Sequence, residues 1–338
     1  MKLLDCTLRD GANVVGNGFS ATLTRSVLEN LLQCGITAVE FGNAKGMGAY
    51  ELLGSTAPLT DLEYLQLAAN YADRGELGMF LMAKCAKLEY IKLAEDYGMK
   101  FLRVGNNAGD GAQSLQAVKM VKQAGLYCRY SLMKAYISAP EQLAEEAAML
   151  EDAGVDCITI MDSAGTMTPK DAAEYTAAIK QKVSIPVGFH GHNNLGLSQA
   201  NALAALEAGA EELDCGLLGM ARSAGNCSTE LLLAAVQREG QLPEIDLQKL
   251  LCYLNGELIP AMAQYDYRPA VSPLDLALGI SGCHSSFLHS FQTIAREENV
   301  PLYELIMQVS AHDRKSPTSE LIRTVAKSIE SKLNKTIS

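Results

Sequence analysis

Histidine is scarce in this 338-residue chain. It has five, and two of them stand one residue apart in GFHGHNNLGLSQAN at 188–201. Paired cysteines are missing. The nine cysteines (6, 34, 85, 128, 157, 215, 227, 252 and 283) show no C-x-x-C and no paired spacing, so no disulfide framework can be read from them. Most lie in apolar runs such as DCITI and LDCGLL and read as buried, reduced thiols, which makes the cytoplasm the expected location. No apolar run approaches membrane-spanning length. The opening MKLLDCTLRD carries charges at Asp5, Arg9 and Asp10, where a signal-peptide core would be apolar. Basic charge is also short. With 28 Lys and Arg against 39 Asp and Glu, the formal net charge of −11 argues against nucleic acid or an anionic membrane as partner. A local basic pocket for a small acid is still compatible with it.

What the chain does have is a repeat. Short β-prone runs recur at LLDCTL (3–8), ITAVEF (36–41), LGMFLM (77–82), KFLRV (100–104), LYCRYSL (126–132), DCITIM (156–161), PVGFH (186–190) and EELDCG (211–216). Between them, stretches such as TRSVLENLLQ and EQLAEEAAMLED place apolar residues at i, i+3, i+4 spacing, the signature of amphipathic helices. Glycines 35, 75, 98, 125, 154 and 209 punctuate the helix ends. Eight strand–helix units predict an α/β fold, a (β/α)8 TIM barrel over residues 1–245. An open doubly wound sheet shares much of this pattern, but no G-x-G-x-x-G follows the first strand, where a dinucleotide site would need it. After about residue 240 the alternation stops. Residues 246–338 read as a C-terminal helical attachment with Pro- and Gly-bearing connectors such as YRPAVSP (267–273).

In such a barrel, chemistry sits at the C-terminal ends of the strands. Arg9-Asp10, Asp162-Ser163 and His190-Gly191-His192 fall there. Residues i and i+2 of a strand face the same way, so both imidazoles can aim into the mouth and share one ion, with Asp10 completing the set. The competing reading is a pair of structural histidines. Arg9 suits a carboxylate or enolate, and otherwise a rim salt bridge. Gly225-Asn226, before the last barrel helix, offers a further metal ligand or simply a turn and cap.

CTLRDG (6–11), MDSAGTMTP (161–169), HGHNNLGLSQAN (190–201), GMARSAGN (219–226) and LGISGCHSSFLHS (278–290) carry a resemblance in register over nearly the whole chain. Together they resemble the metal-dependent pyruvate aldolases of the HMG-CoA lyase-like (DRE-TIM metallolyase) superfamily, nearest the 4-hydroxy-2-oxovalerate aldolase family. The resemblance implies that Asp10, His190 and His192 hold a divalent ion. Manganese is the expected metal, with magnesium, cobalt or zinc as alternatives. It also implies that Arg9 stabilises the enolate of pyruvate, a small 2-oxo acid; Ser163, by its place after strand six, is expected to help bind that substrate. An acylating aldehyde dehydrogenase is the partner implied, although MQVSAHDRKSPTSELI (307–322) departs from the form expected there. A homodimer is compatible.

One departure matters. In that family a histidine three residues past the metal aspartate is the base on the substrate hydroxyl. Here the position is Asn13, which cannot accept a proton at neutral pH. A family tyrosine that meets it corresponds to His284, so the expectation is that the base has moved to His284. Otherwise His284 only packs and Asn13 binds substrate. Gly-rich 42–54 is the expected covering loop, with Tyr50, Lys84 and Tyr136 as shapers of an acceptor pocket. His289 and His312 read as structural or exposed. Two rival functions are a different reaction of the superfamily, such as Claisen-type acyl-CoA transfer or another retro-aldol, and a non-catalytic homologue.

Overall fold

The computed structural model describes residues 1–267, 278–279 and 281–337, so the connector YRPAVSP lies outside the described residues from Arg268 onward. Eight parallel strands close into a barrel in chain order: β1 (Lys2–Asp5), β2 (Ala38–Phe41), β3 (Glu76–Met82), β4 (Phe101–Asn107), β5 (Tyr127–Met133), β6 (Cys157–Asp162), β7 (Val187–Gly191) and β8 (Glu212–Cys215). β8 pairs back onto β1, with Leu4 opposite Asp214 and Asp5 opposite Cys215. All eight sequence-predicted strands are present, each within three residues of its expected ends.

Helices wrap the outside because each carries one apolar stripe. Ala21–Cys34 buries Thr24, Val27, Leu28, Leu31 and Cys34, while Ser20 caps its start and Gly35, at φ 93°, turns the chain back. Pro169–Lys180 starts on a Thr168–Asp171 capping box with proline in its first turn. Gly75 has a different job. A side chain there would meet the Thr37 carbonyl at 2.6 Å, so smallness, not backbone freedom, explains it.

The barrel interior is charged where most barrels are aliphatic. Leu4, Cys6, Ala38 and Phe101 form a small separate apolar cluster inside it. Above and below that cluster the inward positions of β2, β4, β5 and β8 carry Glu40, Arg103, Arg129, Glu212 and Asp214, all buried. Arg103 is fully buried and donates from Nε to Glu40 at 2.6 Å and from Nη1 to Asp214 at 2.5 Å. Arg129 pairs with Glu212 lower in the barrel. Burying such charges is tolerated only because each has a hydrogen-bonded counter-charge. These strands therefore depart from the continuously apolar runs that a doubly covered sheet leads one to expect.

Alternation of strand and helix ends near residue 245, but the packing boundary comes later. Leu250, Tyr253, Leu254, Leu258 and Met262 join the barrel's own core. A second core forms from Leu278 to Ile329, where Phe291, Ile294, Leu305, Ile306, Val309, Ile322 and Ala326 pack together. Helices Leu288–Glu297, Leu302–His312 and Ser319–Ile337 supply it. This part is docked on the barrel mouth: Lys315 pairs with Asp110 at 2.9 Å, and Lys134 donates to the Lys315 carbonyl at 2.6 Å.

Candidate active site

β1 ends at Asp5, three residues earlier than expected, so Arg9 and Asp10 follow the strand as expected but stand on a turn beyond it. The amides of Arg9, Asp10 and Gly11 all point at the Cys6 carbonyl, at 3.1, 2.8 and 3.3 Å, and this tight wrap holds both side chains buried at the mouth. His190 is the penultimate residue of β7. His192 follows the strand and is held by an isolated antiparallel bridge to Asn226.

Asp10, His190 and His192 converge. Their ligand atoms lie within 4.8 Å of one another, with Asp10 Oδ2 3.5 Å from His190 Nε2 and 3.7 Å from His192 Nε2. Those separations are too long for hydrogen bonds, yet they suit donors spread about one cation that binds each at about 2.1 Å. Burial opposes charge on Asp10, but Arg9 and the two imidazoles outweigh it and hold its carboxyl well below the usual range. Burial pushes His192 down to about 3, which leaves a neutral ring with a free lone pair. His190 is different: burial works against its proton, but Asp10 and Asp214 prevail and raise its pKa.

Asp214 accepts a hydrogen bond from His190 Nδ1 at 2.9 Å and so turns Nε2 toward Asp10. Asp214 is locked in turn by Arg103, and Arg103 by Glu40, whose other oxygen takes Arg9 Nε at 2.5 Å. One buried chain thus runs from Arg9 through Glu40, Arg103 and Asp214 to His190. Arg9 Nη1 donates to Asp10 at 2.8 Å, and its guanidinium lies 5.0 Å over the Phe80 ring. The Phe80 ring can lie there because position 105 is glycine: a side chain at Gly105 would meet it at 2.2 Å. Arg9 Nη2 is buried without a partner. Asn226 donates to Asp10 Oδ2 at 2.8 Å and leaves its own Oδ1 buried and unpaired. An orphaned acceptor beside three convergent donors is what a cation site requires, so the residues fit a divalent ion. A second group of suitable ligand atoms, Cys6, His190 and Asp214, shares His190 but is committed to the Arg103 network.

A cavity of about 630 Å³ opens at this point, and Arg9, Asp10, Ser163, His190, His192 and His284 all line it. His284 is half-buried at its wall. The Ser286 backbone N–H donates to His284 Nδ1 at 3.2 Å, so the neutral ring carries its proton on Nε2. Burial and the cations Arg222 and Lys134 keep the ring neutral. Ser163 accepts the Lys134 N–H at 2.9 Å. Asn13 is not among the lining residues. Its amide bonds the Asp10 carbonyl at 2.8 Å and Oδ1 at 3.3 Å, so it braces the aspartate from behind. Of the expected acceptor-pocket residues, Lys84 lines the cavity, whereas Tyr50 and Tyr136 do not. From the 42–54 loop only Ala44 and Lys45 do so. His289 and His312 are exposed. Sequence reasoning missed Glu40, Arg103, Asp214, Lys134 and Arg222.

Fold and site together define a barrel enzyme with its chemistry at the C-terminal mouth. The HMGL-like family profile matches residues 1–255. A 4-hydroxy-2-oxovalerate aldolase of Thermomicrobium roseum is 32% identical over 96% of this chain and 90% of its own length. A Rhodococcus opacus protein named 4-hydroxy-2-oxovalerate aldolase 2 is 33% identical over 91% and 88%. Among solved structures, the carboxyl transferase domain of Rhizobium etli pyruvate carboxylase with pyruvate and biocytin superposes with a TM-score of 0.76 at 16% identity, over 97% of this chain and 61% of that one, a likeness of fold. The chain belongs to the HMGL-like family. It is an enzyme of that family. Among the described residues no helix is long and apolar enough to cross a membrane.

Proposed function

We propose that the chain is a divalent-metal-dependent (class II) pyruvate aldolase, similar in reaction to its 4-hydroxy-2-oxovalerate aldolase relatives. The convergence of Asp10, His190 and His192 beside Arg9 carries this reading. In the addition direction, pyruvate's methyl carbon loses a proton and bonds to an aldehyde carbonyl carbon, whose oxygen gains a proton. Cleavage is the reverse.

Asp10, His190 and His192 hold the ion, with Asn226 Oδ1 as a further oxygen, and manganese is the metal favoured. When bound, the cation supplies Lewis acidity toward the carboxylate and carbonyl oxygens of a 2-oxo acid. Arg9 is fixed through Nε and Nη1, so its unpartnered Nη2 is the donor left for charge developing on the enolate oxygen. Ser163 offers its hydroxyl proton to substrate. Asn13 acts indirectly, by keeping Asp10 in place.

His284 is the residue we assign to proton transfer at the aldehyde oxygen. Its tautomer refines the expectation of a simple base. With Nδ1 accepting from Ser286, neutral His284 presents Nε2–H to the aldehyde oxygen in the addition direction, and as it passes that proton on it takes one at Nδ1, where Ser286 Oγ lies 2.8 Å away, so no imidazolate is left. Acting as a base in cleavage requires Nδ1 to release that bond. The same reading takes the enzyme to be cytoplasmic and a homodimer, with an acylating aldehyde dehydrogenase as the partner that handles the aldehyde. Methyl-proton exchange of pyruvate in D2O tests the reaction class. Exchange that needs added metal and stops in His192→Ala supports it, and its absence with every divalent metal refutes it.

A further inference from the structure

The chain carries a net charge of −11, yet its mouth cavity collects cations. Arg9, Lys45, Lys84, Lys134 and Arg222 line it, against two carboxylates, Asp10 and Asp110. Both carboxylates are already engaged by other cations, although Asp10 still acts on Arg222 and Asp110 on Lys134. Asp10 is paired with Arg9 and faces the two imidazoles, and Asp110 is paired with Lys315 at 2.9 Å. Among the described residues no carboxylate forms an ion pair with Lys45, Lys84, Lys134 or Arg222.

Lys134 is the most telling of these. It follows β5 in the left-handed region at φ 56°, a conformation that costs energy for any residue but glycine. That backbone sets its ammonium against the Lys315 carbonyl at 2.6 Å and over the Phe287 ring at 5.2 Å. A carbonyl and a ring face stabilise a cation without neutralising it. Lys134 is half-buried, and burial together with the neighbouring Lys315 draws its pKa down, although Asp313 and Asp110 act the other way from a distance. The amides of Asn106, Asn107 and Gln113 line the cavity as well, their N–H groups donating to Asp110 and Ser114. Acetaldehyde is small and apolar at its far end, so it would bring no counter-charge to Lys45, Lys84 and Lys134, and a cavity of about 630 Å³ exceeds what pyruvate with a two-carbon aldehyde fills.

We propose that the second substrate is an aldehyde bearing its own anionic group, a carboxylate or a phosphate, which Lys134 receives while Lys84 and Lys45 draw it in at the rim. This rests on the pyruvate aldolase reading above and names the acceptor class for it. The bond made is the same one, from pyruvate's methyl carbon to the aldehyde carbon, and the anionic group takes no part in the chemistry.

The test uses the metal-loaded full-length enzyme, pyruvate and matched aldehydes: butanal against succinic semialdehyde, and glyceraldehyde against glyceraldehyde 3-phosphate. Hydrogen bonds to charged groups favour one charged member by about 10- to 100-fold in kcat/KM. The carboxylate and phosphate pairs show which anion is meant. Lys134→Met should bring the preference to within a few-fold, and the exposed Lys84→Ala should lower it partway. Pyruvate methyl exchange should stay at the wild-type rate in both, which also reports that the variants are folded. Neutral aldehydes serving as well as charged ones, with exchange intact, overturn the acceptor proposal alone. Loss of exchange in the wild-type enzyme overturns the aldolase reading, and this proposal with it.

Discussion

Replacing Asp214 with asparagine separates the ion site from the network behind it. Asp214 is fully buried, and one oxygen receives both Arg103 and His190, while Oδ1 has no partner. An amide oxygen in the same place still accepts both bonds, so the shape is kept and the charge is lost. Two effects follow. Arg103 keeps only Glu40 as a counter-charge, and uncovering a buried charge costs about 3–5 kcal/mol when a partner is removed outright. The retained hydrogen bonds put Asp214→Asn at the lower end, about 3 kcal/mol, which at ~2 °C per kcal/mol for a chain of this size lowers Tm by about 6 °C. His190 also loses the carboxylate that makes its Nε2 basic and fixes its tilt, a change that costs about 10- to 100-fold in metal affinity. Manganese titration followed by calorimetry, beside thermal unfolding of the metal-free protein, reads both. A lower Tm with unchanged manganese affinity would refute the argument that Asp214 acts on the ion through His190.

Other substitutions have equally definite outcomes. His284→Ala should lower aldol turnover by about 100-fold or more while pyruvate exchange and metal content stay near wild type, and near-normal turnover would remove His284 from the chemistry. Arg9→Lys keeps the charge but loses the fork that spans Glu40 and Asp10, and should cost about 100- to 1,000-fold in kcat with metal still bound. Asp5 is buried, and burial raises its carboxyl from 3.8 to about 6 despite hydrogen bonds from Thr7 and Thr229. Its charged form is thus disfavoured on folding, so stability falls as pH rises from about 4 to 6 and then levels. Asp5→Asn should remove that fall and stabilise the protein at pH 7 by up to about 3 kcal/mol, seen as a higher Tm. A destabilised variant at pH 7 would contradict the sign.

Much of this was legible in the chain because local pattern decides it. The β-prone runs and amphipathic helices mark each barrel unit, and His190 and His192 share a face by strand alternation alone. Glu40, Arg103 and Asp214 were passed over, although a signal existed. A charge inside a short strand such as AVEF, FLRV or ELDC, at an inward register, must find a counter-charge across the barrel. Lys134 gave less warning. Its position depends on a left-handed turn and on Lys315 181 residues away, contacts that no local window contains. Asn13 illustrates the limit of correspondence with a family: spacing brought it to Asp10, but the turn points its amide behind the aspartate.

A crystal grown with manganese and oxalate, measured at the manganese absorption edge, addresses the central claim most directly. The account predicts one anomalous peak about 2.1–2.3 Å from Asp10 Oδ2, His190 Nε2 and His192 Nε2. A peak among Cys6, His190 and Asp214 instead, or none within the barrel mouth, would contradict it.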